Sequence, residues 1–251
     1  MTNYIYLLVG LFLPLFPLSM VFNAVYSKVR NPVLRGILLL AWPQPGLIGI
    51  SYFGLTTPDW VIVWAILTSL LYAFRAVALR ELGLWTSFIA TSSWALIWIL
   101  SGNNFDSSLL PSLSLAISAP LALMAFLGAG LERRFGAAYF GLYGGLAQSI
   151  PRFTGVLVMV VLATVATPVF PTFFVMLSMI FKTVLTAPFI AVGVGLVWLL
   201  WSWAGARLLQ GLIVGPQKTS VVDLNHPTLL LYIAALTVLL FTGMYSMGAM
   251  S

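Results

Sequence analysis

Long apolar runs separated by short polar connections make up nearly the whole chain. A membrane-spanning helix needs about 20 apolar residues, whereas a strand of a membrane barrel is shorter and alternates in polarity. The runs have helical length and no alternation, so the pattern predicts an all-α, polytopic membrane protein with eight or nine transmembrane helices. The predicted spans lie near residues 4–25, 33–54, 60–79, 84–101, 109–131, 153–167, 169–182, 187–207 and 228–248.

Two prolines lie close together inside one apolar stretch, at Pro168 and Pro171. Each proline removes a backbone donor and clashes with the preceding turn, so we predict one discontinuous helix at Pro168–Pro171. It forms either two short tilted spans or one re-entrant unit. Backbone groups freed in lipid need partners within the protein or in a wet cavity. The hydroxyls of Thr167 and Thr172 can supply those partners or line a file of water.

A second interruption lies in the second span, where Pro43 and Pro45 precede Gly46. Prolines are a common cause of helix bending, so this stretch predicts a kink covered by neighbouring helices. Several tryptophans fall mostly near the ends of predicted spans, where indole rings favour the headgroup layer. We expect an anchoring role for Trp42, Trp60, Trp85, Trp198, Trp201 and Trp203.

Composition supports the membrane assignment, because 61% of residues are hydrophobic and 6% are charged, against roughly 25% charged in soluble domains. The first 25 residues lack a basic start and a small-residue cleavage site, which predicts a retained helix. The absence of cysteine excludes disulfides and thiolate chemistry. We predict a single integral membrane domain over residues 1–251, with two spans in 1–55, three in 60–131 and a C-terminal group in 144–251.

Basic residues mark alternate connections between the predicted spans. Short loops rich in Lys and Arg stay in the cytoplasm, which places the N-terminus outside a prokaryotic inner or plasma membrane. The same rule accounts for the net charge of +6 without a nucleic-acid partner. The basic connections contain Lys28, Arg30, Arg35, Arg75, Arg80, Arg133, Arg134 and Arg152, whereas the alternate ones offer Asp59 and Asp106; Lys218 lies in a later polar loop.

No constellation for catalysis is visible in the sequence. Phosphate-binding loops, nucleophile–base pairs, metal-ligand clusters and nucleotide fingerprints are all missing. The sequence therefore predicts no catalytic residue, metal or cofactor in this chain, and assigns any enzymatic chemistry to a partner subunit.

The stretch YGGLAQSIP at 143–151, followed by ATPVFPTFF at 166–174, resembles the antiporter-like membrane subunits of respiratory complex I and of Mrp-type cation/proton antiporters. The segments GLVWLLWSWAGARLLQGLIVGP at 195–216 and DLNHPTLLLYIAALTVLLFTGMY at 223–245 are similar to the next two family helices. The resemblance covers roughly residues 62–248. It implies an abbreviated module that lacks several helices of the first half of family members.

The family resemblance also implies a file of buried lysines and glutamates at mid-membrane, and this chain departs from it. Met176 stands where the family has a charged residue on the broken helix. The family's acidic-Leu-Lys turn reads Glu81-Leu82-Gly83, so its lysine is also missing. A complete proton channel is therefore not expected from this chain alone.

Lys182 is the only charged residue between Arg152 and Arg207. An amine buried in hydrocarbon can load and unload a proton if its pKa falls, whereas one at a helix end can extend to the headgroups. Both interpretations of Lys182 stay open. Arg75 and Glu81 are candidates for a lateral polar axis or an intersubunit salt bridge, with interfacial topology charges as the alternative.

Small residues recur every four positions at Ala187, Ala191 and Gly195, a spacing that lets another helix approach closely in lipid. We expect the partner to be a larger antiporter-like membrane subunit, together with a cytoplasmic subunit. The leading hypothesis is a membrane subunit of a proton- or cation-coupled complex, with inorganic-carbon uptake assemblies as one specific candidate. The alternatives are a non-conducting scaffold that has lost the pathway residues and a stand-alone solute transporter.

Overall fold

A computed structural model describes residues 2–102, 109–141, 144–215 and 221–248. Asp106 and Lys218, used above to assign topology, lie outside these ranges. The described chain is helical with no β-strand, which confirms the all-α prediction for these residues. Its helices are α1 (Thr2–Phe12), α2 (Ser19–Lys28), α3 (Pro32–Ala41), α4 (Gln44–Tyr52), α5 (Asp59–Ala78), α6 (Leu82–Gly102), α7 (Leu110–Phe135), α8 (Leu146–Ser149), α9 (Pro151–Thr164), α10 (Pro171–Thr183), α11 (Pro188–Ile213) and α12 (His226–Gly248).

Within the described ranges, six stretches are long and apolar enough to cross a membrane. Five are the single helices α5, α6, α7, α11 and α12, and the sixth is the continuous path Pro32–Tyr52 formed by α3 and α4. Trp42 and Pro43 join α3 to α4 in helical backbone conformation, so the chain stays close to helical through the interruption predicted there. The chain is therefore a multi-pass membrane protein.

The first predicted span is divided, which the sequence analysis missed. Helix α1 ends at Phe12 and α2 begins at Ser19, with Pro14 and Pro17 between them. The same pattern of residues occurs at the second split, because Pro14-Leu15-Phe16-Pro17 and Pro168-Val169-Phe170-Pro171 both read Pro-x-Phe-Pro.

Helix α6 lies at the centre of the fold, with 89% of its most apolar window buried inside the protein. Most of its hydroxyls donate to carbonyls of the helix itself, such as Thr86 to Leu82, whereas Ser92 pairs with neighbouring helices. The hydroxyls of Ser69 on α5 and Ser92 on α6 are 2.9 Å apart, and the indole of Trp201 on α11 donates to Ser92 Oγ at 2.9 Å. Trp94 donates likewise to Ser118 on α7. The core is held by uncharged polar pairs.

Helices α5 and α11 run in the same direction. Gly193, near the start of α11, lies against Ile66 in the first half of α5. Arg80, just after α5, shares a pocket with Arg207 in the last third of α11. The ends of α5 and α11 therefore lie at the same end of the bundle. We call it the basic end and define it by Arg35, Arg80, Arg134, Arg152 and Arg207.

Candidate functional site

The split at Pro168–Pro171 is confirmed as a helix interruption. Helix α9 ends at Thr164 and α10 begins at Pro171, and between them Ala166 and Val169 adopt positive φ angles of 58° and 84°. This conformation is costly for residues with a Cβ, so surrounding contacts must hold it. Ala166 lies beside Trp198, near the middle of α11, so the split lies halfway along that 26-residue helix.

The carbonyls freed at this split are satisfied by side chains of the chain itself. Thr167 Oγ1 donates to the Leu162 carbonyl at 2.9 Å, and Thr172 Oγ1 donates to the Ala163 carbonyl at 2.6 Å. Two roles were predicted for these threonines, and their contacts match the first, in which the hydroxyls donate to freed backbone carbonyls. The Trp198 indole donates to the Ala166 carbonyl at 3.1 Å.

Helix α12 covers the split through Gly243. A Cβ placed on Gly243 would overlap the carbonyl oxygen of Val169 and lie 3.0 Å from the nitrogen of Pro171. Only a residue without a side chain permits this approach of helix to irregular backbone.

The first split is closed by tryptophans. Indole N–H groups of Trp42, Trp98 and Trp64 donate to the carbonyls of Leu11, Leu13 and Phe16 at 3.2, 3.0 and 2.8 Å, and the Phe16 nitrogen donates to Thr68 Oγ1 at 3.1 Å. The anchoring role predicted for the tryptophans is wrong for four of the six. Trp85 and Trp201 are almost fully buried in protein, and the indoles of Trp42 and Trp198 donate to backbone carbonyls at the two helix splits. Trp60 and Trp203 are exposed.

Lys182 lies on the last turn of α10, and its side chain is exposed at the protein surface. Met176, on the same helix, is buried at 2% exposure among apolar side chains. Hence the position that carries charge in the family is apolar core here, and the amine lies nearly two turns farther along.

Arg75 and Glu81 lie at the other end of the bundle. Arg75 is exposed, and its guanidinium carbon lies 5.2 Å from the centroid of the Phe88 ring. Glu81 is half-buried in the connection between α5 and α6, which pairs with the segment after α7: Leu82 N donates to the Ala138 carbonyl at 3.0 Å. Lys182 lies just before Pro188, the first residue of α11, whereas Arg75 and Glu81 lie at the end of the bundle that contains Arg207. Pro188 and Arg207 are about 30 Å apart along α11, so Lys182 does not meet Arg75 or Glu81.

A buried arginine that sequence reasoning did not single out lies beside Glu81. Arg35 on α3 is 8% exposed, pairs with Glu132 on α7 at 3.4 Å and donates from Nε to the Val29 carbonyl at 2.6 Å. A Cβ on Gly83 would lie 3.7 Å from Arg35 Nη1 and 3.5 Å from Glu81 Oε1. The Arg35 guanidinium therefore lies next to the position where the family turn carries its lysine.

Charge is confined to the two ends of the bundle in the described part of the chain. Every charged residue there lies within two turns of a helix end or in a connection. Between the ends, the buried polar side-chain groups are uncharged and include hydroxyls, indoles and the amide nitrogen of Gln44. The described ranges also contain no group of three or more His, Asp or Glu that could hold a metal ion.

The small-residue stripe on α11 divides between the interior and the surface. Ala191 is buried within the chain and Ala187 is half-buried, whereas a Cβ on Gly195 would meet open space. Close approaches inside the protein are made by Gly193 and Gly205, where a Cβ would lie 2.9 Å from Ile66 and 2.7 Å from Val165.

The described helical membrane bundle, with its proline-split helices, has the fold of the antiporter-like membrane subunits. It is shared with a chain of respiratory complex I from Thermus thermophilus (TM-score 0.85, 19% identity) over 95% of this chain and 53% of that one. A chain of the archaeal membrane-bound sulfane sulfur reductase matches with TM-score 0.81 and 14% identity over 96% and 51%. A chain of the Mrp complex from Dietzia sp. DQ12-45-1b matches with 0.73 and 17% over 84% and 42%.

The predicted resemblance is thus confirmed at the level of the fold. The chain spans about half the length of the solved chains that it matches. No protein-family profile and no curated protein matches the sequence.

Proposed function

We propose that this chain is a membrane subunit of a multisubunit proton- or cation-coupled complex of the complex I/Mrp type. The observation that carries the proposal is the shared fold, since all three structural relatives come from multisubunit respiratory or Mrp complexes. Inorganic-carbon uptake is one specific assembly of this type that we retain as a candidate. If each proline-split pair forms one crossing, the chain crosses the membrane eight times, with the N-terminus outside.

The proposed partner is a larger antiporter-like membrane subunit, joined by a cytoplasmic subunit. One feature supports a partner within the membrane: Gly195 presents an open small-residue site on α11. The partner would supply most of the titratable groups.

Within such a complex, Lys182 and the pair Arg75 and Glu81 would act at opposite membrane faces. Lys182 would take part in the relay at the surface where α10 ends, because its side chain is exposed there. Arg75 and Glu81 would form part of a lateral polar axis at the basic end. The proton would cross from one membrane face to the other through the partner subunit.

A second candidate function is a non-conducting scaffold. It is favoured by the uncharged centre of the described chain, in particular by Met176 in the apolar core. It is also favoured by Gly83 at the basic end, where the family turn has lysine. A lone charge is costly at mid-membrane, so an uncharged centre is what a purely structural subunit needs.

Lys182→Ala and Lys182→Met in the intact complex separate the two functions. A relay predicts that both variants lose ion-coupled activity while the complex assembles normally, because neither side chain carries a proton. Lys28→Ala, at another exposed helix end, is the matched control. Full activity of both Lys182 variants with normal assembly would leave the scaffold as the function.

A further inference from the structure

A groove of about 540 Å³ opens at the basic end, between the end of α7, the start of α12 and the connection 221–225. Its deeper walls are apolar: Leu123 and Phe126 of α7 face Leu231 and Ala235 of α12. Phe126 and Leu231 are 37% and 71% exposed, so this surface is not covered by the chain itself. Because both helices are membrane spans, the groove is open toward lipid.

Two arginines form the outer end of the groove. Arg134 is held in place, because Nε donates to the Val222 carbonyl at 2.9 Å, Nη1 donates to the Gly130 carbonyl at 3.0 Å and the guanidinium lies 5.3 Å from the Phe153 ring centroid. Arg133 is exposed and lines the same groove. Within the described ranges, neither guanidinium pairs with a carboxylate.

The nearby carboxylates are already engaged. Asp223 also lines the groove, but its oxygens accept from the backbone nitrogens of Arg152, Phe153 and Leu224 at 2.9, 3.0 and 2.7 Å. A carboxylate at a helix N-terminus is compensated by the partial positive charge there. Glu132 pairs with Arg35 instead. The mouth of the groove therefore keeps a net positive charge.

The depth of the groove matches the dimensions of a lipid. Phe126 and Leu123 lie seven and ten residues before Arg133, which places them about 10 and 15 Å deeper along α7. A phosphate at the arginines would leave an acyl chain alongside these apolar residues. Guanidinium groups bind phosphate in a forked geometry, and basic pockets between spans bind anionic headgroups.

We propose that this groove binds one anionic glycerophospholipid. Its phosphate lies between Arg133 and the unoccupied face of Arg134, and one acyl chain runs between Phe126 on α7 and Leu231 and Ala235 on α12. The lipid seals α12 against α7 at the headgroup layer. This inference is independent of the proposed function.

Native mass spectrometry on the full chain, with any copurifying subunits, tests the site. The protein is titrated with phosphatidylglycerol and with phosphatidylcholine of the same acyl chains. We expect preferential binding of phosphatidylglycerol, weakened about fivefold in Arg133→Gln, as removal of one interfacial arginine predicts. Within the described ranges the Arg133 side chain makes no hydrogen bond or ion pair, so this variant should keep the unfolding temperature measured in phosphatidylcholine. Ala235→Phe, which fills the groove without changing charge, should also weaken binding.

Lys28→Gln is the matched control, because Lys28 is exposed and basic but does not line the groove. Equal loss of binding in Lys28→Gln and Arg133→Gln would reduce the effect to general surface attraction and overturn the site. Unchanged binding in Arg133→Gln or in Ala235→Phe would also overturn it. Displacement of the bound phosphatidylglycerol by inorganic phosphate would indicate a free-anion site instead.

Discussion

The indole of Trp198 donates a hydrogen bond to the carbonyl of Ala166, 32 residues earlier, at the point where α9 ends. Ala166 has a positive φ angle, so its carbonyl cannot join a helical ladder. In a membrane protein that carbonyl has no bulk water to accept from. The bond from α11 therefore stabilises the irregular backbone of the split.

Trp198→Phe should destabilise the chain by about 1–3 kcal/mol, because it keeps the aromatic packing but leaves a buried acceptor without its donor. The loss is measured as a lower unfolding temperature in detergent. Trp203→Phe on the same helix is the control, since Trp203 is 55% exposed. Equal effects of the two substitutions would show that the Ala166 bond contributes nothing specific.

Gly243→Ala tests the packing of α12 on the second split. The added methyl group would overlap the backbone of Val169, so α12 or the split must move, at a cost of about 1–3 kcal/mol. Gly155→Ala on α9 is the matched control, because a Cβ there meets open space and alanine favours the helix. The unfolding temperatures of the two variants are compared. If Gly243→Ala is as stable as Gly155→Ala, the close approach of Gly243 to the split is contradicted.

Gly83→Lys, which restores the lysine of the family turn, would bring an ammonium close to two opposite charges. The Arg35 guanidinium repels it and the Glu81 carboxylate attracts it, because a Cβ at position 83 would lie 3.7 Å from Arg35 Nη1 and 3.5 Å from Glu81 Oε1. Gly83→Ala should be tolerated, because its Cβ makes only ordinary contacts at 3.5 and 3.7 Å.

Charge repulsion at this site has a distinct signature in a double-mutant cycle. Combined with Arg35→Gln, Gly83→Lys should cost less stability than it does alone, by about 1 kcal/mol or more. If the changes in unfolding free energy caused by the two substitutions are additive, the lysine at position 83 does not interact with Arg35.

Gly195→Leu should weaken association with the proposed membrane partner while leaving the isolated chain stable. The position faces open space, so a large side chain costs little within the chain but separates an approaching helix. Copurification in mild detergent measures the loss, with Gly155→Leu as a control on another exposed helix face. Complete retention of the partner would remove Gly195 from the interface.

The split at Pro168–Pro171 was predictable because two prolines interrupt an apolar run too long to be a connection. The split at Pro14 and Pro17 carries the same Pro-x-Phe-Pro signal. It was missed because the surrounding run has the right length for one span. Comparing the two tetrapeptides would have revealed it.

Other features depend on contacts that sequence position does not encode. The Trp98 indole bonds a carbonyl 85 positions away, and only the assembled bundle brings them together. The sequence indicated that Arg35 is a loop charge because it lies close to the end of a predicted span, but it is buried in the first turn of α3. On α11, four-residue spacing indicated the small-residue face, but the tight contacts fall on Gly193 and Gly205 instead.

Confinement of charge to the bundle ends leaves the middle of the described chain without a formal charge. A charged group entering that layer would meet hydroxyls, indoles, the Gln44 amide and aliphatic side chains, so the cost of moving it out of water would stay high. A subunit packed against the middle of this chain would therefore meet a surface of low polarity.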